Sequence, residues 1–285
     1  MGSLEWQWDE TLFAGTAPYY ERGRLPYAPR LAEAMAEALH LDGHRRLLDA
    51  GCGPGTVALR LAHLFEAVVG LDADPEMLAE AGRLSVGRGI SKARWVHARA
   101  EEMPGDLGTF RVVTFAQSFH WMDRLRVART VFEMLEPGGA VVHVDSRYQD
   151  GVDPGPGVPY PAPPEAAIAD LRRRYLGPDR RAGRSVRNAF PDREDLVFRE
   201  AGFVGPEVVV VRGWGMLERS TEDVVANVFS NSATAPHLFG VRVATFEAEL
   251  RQLLAAVSPS GRFSVHLRDN ILNIWRPAGL MVPRG

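Results

Sequence analysis

Gly51, Gly53 and Gly55 form a G-x-G-x-G turn that closes the apolar run at residues 47–50, with Asp49 just before it and Pro54 inside it. A second apolar run at residues 68–71 ends in Asp72. Lacking a Cβ, glycines let backbone approach a ligand closely. An acid at the tip of the next strand is placed to hold a ribose diol. Dinucleotide sites use G-x-G-x-x-G and a helix N-terminus to hold a pyrophosphate. The carboxylate of Asp49 would repel that group and suits a cationic one. The chemistry implied is binding of a nucleoside whose tail carries positive charge. His120 follows the apolar run at residues 110–116, and histidine is the commonest general base. It reads equally as a packing residue that shapes a pocket with Trp121. Gln117 and Ser118 stand nearby as polar contacts for a ligand or substrate.

These residues need a scaffold that brings strand ends together. Parallel strands buried on both faces read as continuous apolar runs, and the runs here alternate with helical stretches through about residue 145. That order predicts right-handed βαβ units and a doubly wound α/β sheet with its ligand at the carboxyl ends of the strands. A helix is expected over about 29–40, with Pro29 suited to its first turn. Another begins near Pro75, where Asp74 is placed as the cap and Asp72 is left for the ribose. Cys52 reads as a small turn residue without a redox role.

The glycine turn, Asp72 and three later segments resemble, in order, the motifs of class I S-adenosylmethionine-dependent methyltransferases. Residues 95–104 are similar to that family's third strand and loop, 110–121 to the fourth strand and active-site loop, and 135–144 to the turn and fifth strand. The Ala-Gln-Ser-Phe-His-Trp loop resembles the small-molecule branch around trans-aconitate-type and methyltransferase type 11-like enzymes. The resemblance implies a Rossmann-like, seven-stranded, mostly parallel sheet with helical cap insertions, its last two strands an antiparallel pair at the edge. It implies S-adenosyl-L-methionine as cofactor and S-adenosyl-L-homocysteine as product. Cofactor contacts then fall on Asp49, Gly51, Gly53 and Gly55, on Asp72, Ala73 and Met77, and on Gln117. Tyr20 and Arg24 match the pair that meets the methionine end. Where the family commonly places an acid that contacts the adenine, this chain has Arg99, which leaves Ala100 and Glu101 for that contact. The implied activity is methyl transfer to a small-molecule acceptor at oxygen, nitrogen or carbon, by proximity and in-line alignment, with His120 as the catalytic residue. The alternative is a non-catalytic S-adenosylmethionine-binding sensor or scaffold. Nucleic-acid methyltransferases acting on exocyclic amines carry an acid or asparagine followed by Pro-Pro where this chain has Gln117-Ser118-Phe119-His120.

The 285 residues are 46% hydrophobic, ample for a core, and carry a net charge of −3. That balance argues against general affinity for nucleic acid or an anionic membrane, which need a basic field. Cys52 is the only cysteine, which excludes an intrachain disulfide and a cysteine-cluster metal site; no metal is expected. No apolar run is long enough to cross a membrane and no leader pattern precedes the first helix, so a cytoplasmic protein is expected. Residues 1–28 are rich in aromatics and read as a lid or an arm, followed by the cofactor-binding core at 29–145. Residues 146–190 form a Pro/Gly-rich and basic insertion, with a loop at 150–164 and a helix at 165–175. Residues 191–280 complete the core, with strands at 207–212 and 263–275 and helices at 191–202, 221–230 and 243–257. Residues 146–190 and 214–260 are the candidate substrate cap, with His237 and Phe239 lining it or packing its core. The arginines at 172, 173, 174, 180, 181, 184 and 187 either bind an anionic substrate bidentately or form a solvated face. The C-terminal Leu-Met-Val-Pro-Arg-Gly resembles a protease-site scar.

Overall fold

The computed structural model describes residues 9–103, 105–146, 158–179, 181–182, 185–186, 194–213 and 215–279. The apolar runs become five parallel strands: β1 (Arg46–Ala50), β2 (Ala67–Asp72), β3 (Ala93–His97), β4 (Phe110–Ala116) and β5 (Leu135–Ser146). Apart from the two-residue strands Arg181–Ala182 and Ser185–Val186, which pair with each other, four more follow, namely β6 (Phe203–Val211), β7 (Met216–Ser220), β8 (Arg262–His266) and β9 (Asn270–Pro277). The main sheet has seven strands in the order β3-β2-β1-β4-β5-β9-β6, with β9 antiparallel to both its neighbours. The order reverses at β1, whose neighbours are β2 and β4. That switch point opens a crevice at the carboxyl ends of the strands.

Helices cover both faces of the sheet. On one side α5 (Arg124–Met134) and α7 (Glu194–Glu200) bury Val127, Val131 and Phe198 against Leu48, Val69, Val113 and Val141. On the other, α2 (Leu31–Leu39) and α3 (Thr56–Leu61) bury Leu31, Met35, Val57 and Leu61 against Leu47, Val68, Val112 and Val142. Alternate residues of each strand serve opposite layers, as the two-residue period of a strand requires. α4 (Pro75–Gly87) starts under its Asp74 cap, whose carboxylate accepts the backbone N–H groups of Glu76 at 2.9 Å and Met77 at 3.3 Å.

A third core lies away from the sheet. It joins α6 (Glu165–Leu176), α8 (Thr221–Phe229) and α9 (Val243–Val257) through Leu171, Val225, Phe229, Phe246 and Leu250, with Phe239 and Phe263. The N-terminal α1 (Ala17–Gly23) packs on α8 with no room to spare. A Cβ on Gly23 would sit 2.4 Å from the Ala226 carbonyl oxygen. Phe239 belongs to this core, stacked on Phe246 with ring centroids 4.0 Å apart.

The structure differs from expectation in the C-terminal strands. The apolar stretch at 263–275 is two strands, because β8 pairs with β7 in a separate ribbon while β9 joins the main sheet. The chain changes sheets at both crossings together. Gly213 passes so close to the outgoing segment that a Cβ on it would lie 2.1 Å from the Arg268 carbonyl oxygen. Asp269 fastens the crossing by accepting the Gly213 N–H at 2.9 Å. β6 starts at Phe203, ahead of the expected residue 207; its Gly205-Pro206 step falls where the ladder shifts register between Ile274 and Arg276, on an edge strand that tolerates proline. The last two sheet strands are antiparallel to each other, yet residues 212–269 intervene between them. Of the arginine run, Arg173 pairs with Asp170, and Arg174 with Glu249 at 3.0 Å, on the exposed face of α6. Arg180, Arg184 and Arg187 lie outside the described residues, as do 150–157 of the Pro/Gly-rich loop and 191–193 of the expected helix.

Candidate functional site

The glycine turn is built by the strand it leaves. The Gly51 and Cys52 N–H groups both donate to the Leu71 carbonyl, at 2.7 and 3.0 Å, which ties the turn to β2. Gly51, Gly53 and Gly55 have φ of +69°, +54° and +76°, a region closed to most side chains. Gly51 also needs its missing Cβ for space, since one there would lie 2.5 Å from Ser118 Cβ. Around Gly53 a Cβ would meet nothing within 4 Å, so this glycine opens into the cleft.

Two adjoining lobes form that cleft. The first, about 650 Å³, runs from Gly51 and Gly53 past Asp72, Ala73 and Met77 to Ala98, Arg99, Ala100 and Glu101. The second, about 1180 Å³, is walled by Arg24, Tyr27, His120, Asn227, Asn231 and Arg268. They meet at Phe13, Tyr20, Ala116, Gln117 and Trp121. Phe13 stands edge-on to Trp121 at 6.1 Å, so the segment before α1 closes against the loop after β4.

Asp72 ends β2 on the wall of the first lobe. Its oxygens accept the Gly53 N–H at 2.7 Å and the Asp74 N–H at 2.9 Å. Burial raises its pKa from the usual value, opposed by those two backbone bonds. A carboxylate has about four lone-pair sites, so each oxygen keeps capacity for a ligand hydroxyl. Glu101 lines the same lobe, yet one of its oxygens accepts the Asp123 N–H at 2.8 Å at the start of α5. Arg99 is occupied by Glu102, whose carboxylate accepts from the Arg99 backbone at 3.0 Å and Nε at 3.1 Å.

Asp49 is not on the cleft wall, a correction to the sequence reading. It is fully buried under the turn, where Oδ1 accepts the Thr114 hydroxyl at 2.8 Å and Oδ2 the Ala58 N–H at 3.1 Å. Strand alternation explains this: Asp49 shares its face with Leu47, toward α3, rather than pointing along the strand to the ligand. Burial raises its pKa to about 6 against those hydrogen bonds. Gly55 also stands off the cleft, at the N-cap of α3 with Trp95 against it. Ten of the twelve expected cofactor positions, all but Asp49 and Gly55, line one lobe or both.

Beyond β4 the loop rests on a polar chain. Gln117 adopts a left-handed φ of +58° and donates from Nε2 to Asp145 at 2.8 Å. His143 lies 3.8 Å from Asp145 through Nε2 and 2.7 Å from Glu194 through Nδ1. His120 lines the second lobe, its ring tilted on Trp121 at 4.6 Å, and contributes to the field on Glu194. Among the described residues no group of three His, Cys, Asp or Glu is placed to hold a metal ion, and no helix is long and apolar enough to cross a membrane.

Sequence reasoning missed much of the second lobe. Asn227 and Asn231 stand one turn apart at the end of α8, and Nδ2 of Asn227 donates to the Gly23 carbonyl at 2.9 Å. Asn270 accepts the Ala28 N–H at 2.6 Å. The one local signal was the polar triplet Arg268-Asp269-Asn270 interrupting an apolar strand.

Residues 47–139, from β1 to the turn that opens β5, match the family model for a methyltransferase domain. An uncharacterized methyltransferase of Mycobacterium tuberculosis is 34% identical over 127 residues, which is 45% of this chain and 49% of that protein. Malonyl-[acyl-carrier protein] O-methyltransferase of Enterobacter lignolyticus is 32% identical over 130 residues, 45% of this chain and 49% of that one. The chain thus spans about half the length of these relatives. The crystal structure of the YcgJ protein from Bacillus subtilis shares the fold at 18% identity and a TM-score of 0.51, over 87% of this chain and 98% of that one. Residues 47–139 are thus similar to a methyltransferase domain, within a chain that shares its fold with the YcgJ protein.

Proposed function

We propose that this chain transfers a methyl group from S-adenosyl-L-methionine to a small-molecule acceptor held in the second lobe. The observation that carries this is the two-lobed cleft at the switch point, joined at Gln117 and Trp121, with Gly53 opening into it and Asp72 on its wall. The residues present fit the cofactor. Asp72 has lone pairs to spare for ribose hydroxyls, while Leu71, Met77, Ala98 and Ala100 offer an apolar slot for the adenine. Ala73, with the backbone of Gly51 and Gly53, lies beside the nucleoside. Tyr20, Arg24 and Gln117 sit toward the junction, where the methionine end would lie. The cofactor supplies an electrophilic methyl group.

What the protein adds is alignment. Proximity and orientation are worth roughly 7–11 kcal/mol, whereas a general base gives about 10²–10⁴-fold, or roughly 3–5 kcal/mol. Alignment is the larger contribution, so a modest base is enough. His120 lines the second lobe, which supports it as the group that takes a proton from the acceptor. The cleft is roofed by α1 and α8, and the chain carries a net charge of −3; both favour a small molecule over a nucleic acid.

Labelled S-adenosylmethionine incubated with candidate acceptors tests the reading. With an acceptor in hand, His120→Ala should lower turnover about 10²-fold or more and leave cofactor affinity unchanged. Undiminished turnover would make His120 a wall residue only.

A further inference from the structure

The methionine end of the cofactor is a zwitterion, and the cleft must meet both of its charges. Arg24, over the Tyr20 ring at 4.8 Å beside the junction of the lobes, suits the carboxylate, since a guanidinium pairs with planar oxyanions. The ammonium needs an acceptor. Asp49, whose type suggested that role, has its oxygens committed to Thr114 and Ala58 beneath the turn. Gln117 lines both lobes together with Tyr20, and its amide can serve as donor or as acceptor. Which of the two it offers the cleft is decided by the group behind it.

That group is Asp145, near the end of β5. A carboxylate only accepts, so the 2.8 Å contact with Asp145 Oδ1 is made by the Gln117 nitrogen. The amide is thereby oriented, and Oε1 is the atom left for a ligand. Among the described residues the Gln117 amide makes that one hydrogen bond. Donation to an anion also strengthens the oxygen as an acceptor, because hydrogen bonds in a chain polarise one another. Asp145 is itself held from β9: Oδ2 accepts Nδ2 of Asn273 and the backbone carbonyl accepts Nδ2 of Asn270, both at 3.3 Å. His143 Nε2, at 3.8 Å from Oδ1, is beyond hydrogen-bond reach and leaves that oxygen to Gln117. The Asp145 side chain is 37% exposed, so water screens its charge. The hydrogen bond, rather than a long-range field, carries its influence into the cleft.

The backbone agrees with this assignment. Gln117 follows β4 directly at a φ of +58°, a region that glutamine seldom enters. Strain of this kind persists where the surroundings fix it, and it gathers at functional sites. The bond to Asp145 is one such restraint.

We propose that Asp145 is a positioning residue for the cofactor: acting through Gln117, it turns the carboxamide oxygen to the α-ammonium of S-adenosylmethionine at the junction of the lobes. This deepens the methyltransferase reading and rests on it. A carboxylate thus serves the cationic end of the ligand from β5, by way of an amide, whereas Asp49 serves the glycine turn. Holding the ammonium also fixes the chain that carries the sulfonium, so the pair contributes to the alignment on which transfer depends.

Calorimetry with two ligands tests it: S-adenosylhomocysteine and its desamino analogue, which keeps the nucleoside and the carboxylate but lacks the ammonium. Wild type should bind S-adenosylhomocysteine about tenfold or more tighter than the analogue. Gln117→Met and Asp145→Ala should each cost S-adenosylhomocysteine about tenfold or more. Affinity for the analogue should be unchanged in both, which also shows that they are folded. The double variant should lose no more than Gln117→Met alone, because residues acting in series share one effect. Asp145→Asn has one oxygen for the two side-chain amides that the carboxylate holds, so its loss should fall between wild type and alanine. This isosteric variant carries the test if the alanine variant does not fold. Equal affinity of wild type for the two ligands, equal losses for both in the variants, full affinity in either Asp145 variant, or additive losses in the double variant overturns the proposal. Failure of S-adenosylhomocysteine to bind wild type would instead overturn the methyltransferase reading beneath it.

Discussion

Replacing Asp72 with alanine should weaken binding of S-adenosylhomocysteine about a hundredfold or more. Hydrogen bonds to a charged group are worth roughly 1.5–3 kcal/mol each, and two ribose hydroxyls would lose theirs, so roughly 3 kcal/mol is a conservative sum. The damage reaches the turn as well, because the Gly53 and Asp74 N–H groups both lose the acceptor they share. Asp72→Asn should fall between wild type and alanine: its one carbonyl oxygen can satisfy Gly53 or Asp74 but not both, and its amide nitrogen faces a donor. Asp74→Ala is the control. It removes the cap of α4 and costs about 1 kcal/mol of stability, with affinity preserved. Binding isotherms with melting curves on the three variants separate these effects. Affinity within threefold of wild type in Asp72→Ala would remove Asp72 from the site.

His143 should make stability depend on pH from the middle of the fold. It is buried on β5, and burial opposes its charge, yet the Glu194 hydrogen bond and the Asp145 carboxylate outweigh that and hold its pKa above the ordinary imidazole value. Glu194 responds in kind: burial pushes its pKa up, and His143 more than reverses the effect, leaving it lowered. A histidine with a raised native pKa contributes stability that is complete below its unfolded value of about 6.5 and is lost as pH rises through the higher native value. His143→Gln keeps one hydrogen bond and removes the charge. Wild type should therefore exceed it by about 1.5–3 kcal/mol in mildly acidic buffer, and the gap should shrink as pH rises past neutrality. Chemical denaturation of both proteins across that range gives the difference directly. A gap that is constant with pH would mean the imidazole is neutral in the fold. Asp145 also accepts from Gln117, which forms part of the cleft wall, so the same polar cluster supports the loop at which the two lobes meet.

The parts of this molecule legible in its sequence are those encoded locally. The glycine turn, the acid at the end of β2 and the cap at Asp74 each depend on a few adjacent residues, and each stands in the structure at its expected place. The inner strands were legible because burial on both faces leaves unbroken apolar runs. Asp49 was misread for a reason that is itself physical. Its type suggested a ligand contact, but strand alternation turns it under the sheet layer toward α3. The stretch at 263–275 shows another limit, since apolar periodicity cannot tell one strand from two that part company at Arg268 and Asp269. The second lobe was the least legible. Arg24, Asn227 and Arg268 are far apart in the chain and meet only after α1 packs on α8 and two strands cross at Gly213. The pair of His143 and Glu194 is equally non-local. No spacing rule joins such residues.

Titration with S-adenosylhomocysteine, with NADH as the control, tests the central claim most directly. The account predicts saturable one-to-one binding at micromolar concentration or tighter, roughly −8 kcal/mol or better, for S-adenosylhomocysteine alone. Binding of NADH with similar strength, or of neither ligand, would contradict it, because a cleft with Gly53 open and Asp72 on its wall would then serve some other purpose.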